Sequence, residues 1–270
     1  MPLGLIAGHG RFPVLALEAA KRAGIEVVAI GLKEEAGAEI EPLALRTHWI
    51  SLGQLSKLIE ICQREKISQL MMCGQVKHAR IFSSIVPDLK LVKLLFSLEQ
   101  KNTEALIGGV ARMLAEEGIE LVDSTLLLKD LLAPEGVLSK REPSQDETRD
   151  IEYGRKIASA LAKLDVGQSV AIAERACVAI EAMEGTDAML RRAASLTEKK
   201  PLRLVKASQR RKHMLFDVPV VGPGTIATMK ETNTTVLAID AGRTLLIDRE
   251  EMMAQANAAK ISIVAAVPLD

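Results

Sequence analysis

Residues 3–30 constrain the fold more than any other stretch. Leu3–Ala7 is a short apolar run that stops at Gly8-His9-Gly10. Phe12–Ala23 then places apolar residues at helical spacing, and Gly24 supplies the stop. Ile25–Ile30 reads as a second buried strand. A strand, a helix and a strand in this length make a β-loop-α-β unit, the building block of a parallel sheet. The alternation continues with a helix over Leu55–Arg64, a strand over Gln69–Cys73, helices over Leu89–Leu98 and Thr103–Glu117, and a strand over Ile119–Val122. The first half therefore predicts an α/β fold, a Rossmann-like parallel sheet with helices on both faces.

From Leu132 to Thr148 the texture changes to Pro134, Gly136, Pro143 and mixed charge. This divides the chain into an N-terminal domain at 1–131, a linker at 132–148 and a C-terminal α/β domain at 149–270. The second half opens with a helix over Arg149–Lys163, followed by a hairpin of Val170–Ala173 and Cys177–Glu181. Strands follow at Leu202–Lys206, Val218–Val221, Val236–Ile239 and Thr244–Ile247, then a helix over Arg249–Ala259 and a strand over Ile261–Val267. Aromatic residues make up only 2% of the chain, so both cores must be aliphatic.

Several function classes are excluded at this stage. The 35 basic and 35 acidic residues cancel, and the scarcity of aromatic faces removes base-stacking platforms, so no nucleic-acid partner is expected. Cys62, Cys73 and Cys177 lie far apart in apolar surroundings and read as buried reduced thiols, which fits a reducing compartment. No segment approaches the roughly 18 apolar residues of a membrane span, and Met1-Pro2-Leu3-Gly4 lacks the basic region of a signal peptide. The expected location is cytoplasmic, soluble or peripherally attached. His9, His48, His78 and His213 have no zinc-ligand spacing, and no Gly-x-Ser-x-Gly nucleophile elbow occurs.

Five segments carry candidate chemistry. Gly8-His9-Gly10-Arg11 joins a strand to a helix, where free N–H groups and the helix dipole favour a phosphate. A plain structural turn explains the same glycines, and the third glycine of a dinucleotide fingerprint is absent, which argues against a dinucleotide-dependent enzyme. Gln75 and Lys77 follow a strand end, where ligands of open α/β sheets bind. Glu184, Thr186 and Asp187 put oxygen atoms at a helix start, suited either to capping that helix or to holding a hard divalent cation such as Mg²⁺. Asp165-Val166-Gly167-Gln168 is a turn whose backbone can meet a ligand. Finally, Asp217 is a lone acid behind Lys206, Arg210, Arg211, Lys212 and His213.

These segments stand in one order that resembles the LpxI family, UDP-2,3-diacylglucosamine pyrophosphatases of lipid A biosynthesis. The likeness rests on Leu5-Ile6-Ala7-Gly8-x-Gly10, on Glu181-Ala182-x-Glu184-Gly185-Thr186-Asp187-Ala188-Met189-Leu190-Arg191-Arg192 and on Phe216-Asp217-Val218-Pro219-x-x-Gly222-x-x-Thr225-Ile226. Asp165-x-Gly167-Gln168 and Asp248-Arg249-Glu250 complete it, so it spans essentially the whole chain. It implies hydrolysis of UDP-2,3-diacylglucosamine to UMP and 2,3-diacylglucosamine 1-phosphate, with a divalent metal, usually Mg²⁺. It implies that Asp217 is the key aspartate, which orients or deprotonates the water or holds the metal, with Asp187 the other candidate metal ligand. It makes Gly10, Arg11, Gln75, Asp165, Val166, Gly167, Gln168, Thr186, Asp187 and Lys206 substrate contacts. It further implies transient peripheral membrane contact and leaves a homo-oligomer open. The sequence departs from the family where Lys212, His213 and Leu215 replace an amide, an acid and an arginine. The alternative to the pyrophosphatase is a non-catalytic or substrate-shifted UDP-lipid binding protein.

Overall fold

The computed structural model describes residues 1–76, 86–99, 103–198, 200–209, 214–215 and 218–269. It divides into two compact units. The first holds Met1–Lys129 together with Met214 and Leu215, and the second holds the remaining described residues.

In the first unit, β1 (Leu3–Ala7), β2 (Val27–Leu32), β3 (Arg46–Ile50), β4 (Gln69–Cys73) and β5 (Glu120–Leu121) form one sheet in the order β3-β2-β1-β4-β5. All four pairings are parallel. The chain runs outward from β1 through β2 to β3, then returns to add β4 on the other side. This is the doubly wound arrangement that the helix-strand alternation predicts. Alternate strand residues Ile6, Val28, Ile30 and Leu70 share one apolar cluster with Leu58, Ile59 and Cys62 of α2 (Leu55–Arg64) and with Leu114. Their neighbours Leu5, Ala7, Ala29 and Met71 are equally buried, and α1 (Phe12–Arg22) contacts β1 and β4. Leu114 belongs to α4 (Thr103–Glu116), which packs on α3 (Leu89–Ser97).

The second unit carries a mixed sheet. It contains β6 (Gly136–Val137), β7 (Ser169–Ala173), β8 (Ala176–Ile180), β9 (Leu202–Lys206), β11 (Thr234–Asp240) and β13 (Ser262–Ala266), in the order β6-β13-β11-β9-β7-β8. The central strands β13, β11 and β9 are parallel, whereas β7 runs against β9 and the predicted hairpin sets β8 against β7. A separate parallel pair joins β10 (Val220–Val221) to β12 (Leu245–Leu246). One sheet face is covered by α5 (Gln145–Lys163), through Ile151 and Ala158 against Ile172, Val205 and Ala238. The other is covered by α6 (Thr186–Leu196), α7 (Pro223–Glu231) and α8 (Arg249–Ala258), through Leu190, Met229 and Met252.

Helix α5 starts at Gln145, earlier than its apolar spacing predicts. Ser144 and Glu147 close a capping box, in which each side chain takes the other's backbone N–H. Of the three free cysteines, Cys62 and Cys73 are buried, while Cys177 is half-buried. Burial pushes the Cys62 thiol up to about 11, so it stays a thiol at neutral pH.

Gly154 sets the distance between α5 and the sheet. A Cβ there would lie 2.8 Å from both Ile172 Cγ1 and Val205 Cγ2, side chains that are fully buried. Alanine gains about 1 kcal/mol of helix propensity over glycine. Overpacking costs about 1–3 kcal/mol, and both neighbours are buried side chains that would have to shift. Gly154→Ala is therefore expected to lower stability; an increase in unfolding temperature would contradict this packing.

Candidate active site

The mixed strand directions bring four chain segments to one end of the second sheet. Because β7 is antiparallel to β9, the start of β7 lies beside the end of β9, with Ser169 opposite Lys206. The end of β8 returns to the same place, where Glu181 N–H donates to Ser169 O at 2.8 Å. Parallel β11 ends there too, at Asp240. The carboxyl ends of parallel strands are where open α/β sheets place ligands.

Thr186 is the hub of this cluster. Its hydroxyl donates to Glu181 Oε1 at 2.9 Å, accepts from Lys206 Nζ at 3.3 Å and lies 3.2 Å from Ser169 Oγ. A hydroxyl has one proton, and an ionised carboxylate is its strongest acceptor here. With that proton committed to Glu181, Ser169 must donate, and the ammonium of Lys206 meets a lone pair. Thr186 takes one of the three donors that an ammonium offers. Glu181 Oε2 is closed off from solvent and has no hydrogen-bond partner among the described residues. A buried anionic oxygen without a donor is unfavourable, and the Lys206 cation one bridge away offsets part of that cost.

Thr186 is also the first residue of α6. Gly185 precedes it at φ +83°, and no side chain caps the helix. Capping by Thr186 or Asp187, one reading of the sequence, is therefore replaced by a different arrangement. Thr186 turns inward to Glu181, and Asp187 is exposed. Glu184 is engaged elsewhere, accepting from Ala182 N–H and from Arg192, which holds its carboxyl below the usual range. The first N–H groups of α6 and the Lys206 ammonium thus present positive charge at one end of the sheet.

The turn at Asp165–Gln168 adjoins this cluster. Asp165 has φ +53° and accepts from Gln209 Nε2 at 2.6 Å. Gln168 O takes the Ala207 N–H at 2.8 Å, and Val166 is exposed. Gly167 is required by contact, since a Cβ there would stand 2.0 Å from Glu181 O. Asp240 holds the strand exit after Lys206 by accepting both N–H and Oγ–H of Ser208, at 2.7 and 2.9 Å.

In the first unit, Gly10, Arg11 and Gln75 lie at the switch point between β1 and β4. His9 and Gln75 exchange backbone hydrogen bonds of 2.7 and 3.0 Å across the two strand exits. Gly8 and Gly74 permit that crossing: a Cβ on Gly8 would lie 2.7 Å from Gln75 O, and one on Gly74 2.8 Å from His9 O. Backbone packing thus accounts for Gly8. Gly10 has φ +97° and open space beside it, so its requirement is conformational. Arg11 is the exposed N-cap residue of α1, and its side chain does not cap the helix.

Asp217, Lys77, Lys212 and His213 lie outside the described residues. Their neighbour Leu215 packs against the apolar cluster of the first unit. Asp123 and Ser124, which the motifs do not signal, hold this segment. Asp123 Oδ2 accepts Met214 N–H at 3.1 Å, Ser124 N–H donates to Met214 O at 2.8 Å, and Ser124 Oγ donates to Leu215 O at 2.7 Å. Ser169 stands out only once the strands are paired, and so does the role of Glu181, which the motif names without a function. Among the described residues, no group of three or more His, Cys, Asp or Glu side chains could hold a metal ion. A divalent ion would need a carboxylate such as that of Asp187 together with substrate phosphate oxygens, the usual manner of Mg²⁺.

These features define a two-unit α/β protein with a lysine held at an uncapped helix N-terminus. Models of the LpxI N-terminal domain and the LpxI C-terminal domain match residues 2–131 and 134–264, respectively. The chain belongs to the LpxI family. UDP-2,3-diacylglucosamine pyrophosphatase LpxI of Caulobacter vibrioides is 30% identical over 265 residues, covering 94% of each chain. Among solved structures, the biotin carboxylase domain of Hydrogenobacter thermophilus 2-oxoglutarate carboxylase matches 73% of this chain and 41% of its own, with 14% identity and a TM-score of 0.28. Rhizobium etli pyruvate carboxylase matches 70% of this chain and 15% of its own, with 16% identity and a TM-score of 0.31. The chain thus spans less than half the length of either carboxylase, and likeness at these scores carries no argument.

Proposed function

We propose that the protein hydrolyses the diphosphate of UDP-2,3-diacylglucosamine. Water oxygen bonds to the α-phosphorus as the bond from that phosphorus to the bridging oxygen breaks. The products are UMP and 2,3-diacylglucosamine 1-phosphate, which keeps the bridging oxygen; the water's proton passes to a base. The observation that carries this reading is the Lys206–Thr186–Glu181 chain at the uncapped start of α6. Family membership supplies the substrate class.

A diphosphate repels a nucleophile unless its charge is offset. Lys206 and the α6 amides supply that offset, and Glu181 acts through Thr186 to keep the ammonium in place. The turn at Asp165, Val166, Gly167 and Gln168 and the first-unit residues Gly10, Arg11 and Gln75 contact the substrate. Asp217 orients the water or takes its proton. A divalent cation such as Mg²⁺, held by Asp187 or Asp217, would add Lewis-acid screening of the phosphate oxygens.

The test is UMP release from UDP-2,3-diacylglucosamine with Mg²⁺ and with chelator. Release that chelator abolishes is expected. Release that persists under exhaustive chelation would remove the metal from this reading. Leu215 favours a second reading, a UDP-lipid binding protein, because an apolar side chain packed on a core cannot clamp a phosphate as an arginine does. Tight binding without turnover in any divalent metal would establish that reading instead.

A further inference from the structure

Helix α3 and the stretch just before it expose large apolar side chains, while the helix is firmly held. Val86, Leu89 and Phe96 are 84%, 80% and 88% exposed. Leu89, Lys93 and Phe96 follow the i, i+4, i+7 spacing of one helical stripe, and Lys93 is also exposed. The opposite face is packed, with Leu94 buried and touching α4 where Gly109 lacks a Cβ. Asp88 caps α3 by accepting Leu91 N–H at 3.0 Å, and it accepts Ser56 N–H from the start of α2 at 2.6 Å. Lys90 Nζ lies 2.5 Å from Glu117 just beyond α4. The exposed stripe is therefore presented by an anchored helix.

We propose that α3 docks the protein on an anionic bilayer surface, with Val86, Leu89 and Phe96 entering the headgroup–acyl boundary and Lys93 reaching lipid phosphates. The purpose rests on the substrate reading above, because a lipid with two acyl chains resides in a bilayer. No described helix is long and apolar enough to cross a membrane, and a helix of nine residues reaches only about 14 Å, so contact must be made in the interfacial plane. Charge selects the occupant. Helix α3 carries Lys90 and Lys93 and no acidic residue. With Lys90 matched by Glu117, Lys93 is left in the middle of the apolar stripe. A second copy docking there would press that ammonium against apolar side chains. A bilayer takes it without that penalty, because the aliphatic stem lies along the acyl boundary while the charge rises to the headgroups.

The experiment is co-sedimentation of the full chain with vesicles of phosphatidylethanolamine and phosphatidylglycerol, and with phosphatidylcholine vesicles. The wild type is expected to prefer the anionic vesicles. The double substitution Leu89→Glu with Phe96→Glu should weaken that binding by at least about tenfold. Lys93→Glu should abolish the anionic preference. Both changes lie on exposed positions, so the melting temperature should hold, and UMP release from detergent-dispersed substrate should be unchanged. Equal sedimentation of wild type and double variant overturns the proposal. So does a wild-type dimer, seen by sedimentation velocity, that the variant loses without any vesicle binding. Vesicle binding that the variant loses, with no UMP release from any form of the substrate, upholds the docking face and sinks the substrate reading alone.

Discussion

Asp217→Asn is expected to lower kcat for UMP release by about 10²- to 10⁴-fold, the range of a lost general base, with little change in KM. Asparagine keeps the size and one acceptor oxygen of aspartate but can neither take a proton nor carry charge. Asp217 is the sole acid between Lys206 and Val221, a stretch that also holds Arg210, Arg211, Lys212 and His213. Lys206→Met should behave differently, raising KM and lowering kcat together, because its charge offsets the diphosphate before as well as during the reaction. Steady-state rates of the two variants separate these roles. Asp217→Asn turning over at the wild-type rate would remove Asp217 from the chemistry.

The sequence exposes the frame of the first sheet because β1, β2 and β4 are buried on both faces and read as continuous apolar runs. It hides β3 for the converse reason. Arg46 and His48 of this edge strand pair with Glu65 rather than with a core, and Trp49 lies over Gly31, where a Cβ would stand 2.5 Å from the ring. Of the two-residue strands, β10 and β12 fall inside the runs expected at Val218–Val221 and Thr244–Ile247, whereas β6 is too short for any periodicity to show. In the second unit the strands themselves are legible, but whether β7 runs with or against β9 is a tertiary choice. That choice places Ser169 beside Lys206. The site is therefore readable as separate motifs, while the parts played by Glu181, Ser169, Asp123 and Ser124 are not. Their roles lie in hydrogen bonds between distant segments, such as Ser124 to Leu215 across 91 positions. Thr186 shows the limit most clearly: a threonine at a helix start suggests a cap, yet its proton goes to Glu181.

Glu147→Gln is expected to destabilise the second unit by about 3 kcal/mol at neutral pH, and by progressively less as the solution is acidified. The Glu147 carboxylate is buried and takes four hydrogen bonds. Arg141 donates twice, at 2.7 and 3.0 Å, Thr235 Oγ1 once at 2.6 Å, and Ser144 N–H once at 2.8 Å. Burial alone would raise its pKa, but these donors outweigh it and bring it from 4.5 down to about 2. A carboxyl with a depressed folded-state pKa contributes stability that is complete above its unfolded value. That contribution is lost as the pH falls through the folded value. Here the window runs from 4.5 down to about 2. At about 1.4 kcal/mol per unit the shift corresponds to about 3 kcal/mol. This is the low end of the cost of breaking a buried ion pair, as suits an Arg141 side chain still 32% exposed. Glutamine cannot reproduce the arrangement, because its amide would aim N–H groups at donors. The single tyrosine, Tyr153, lies on α5 within the second unit, and the single tryptophan, Trp49, lies on β3 within the first. Urea unfolding of the intact chain can therefore follow the two units separately. The Tyr153 transition should fall in the variant and lose its acid dependence within that window, with the Trp49 transition as internal reference. Parallel pH profiles for wild type and variant would show that Glu147 is not the group that titrates.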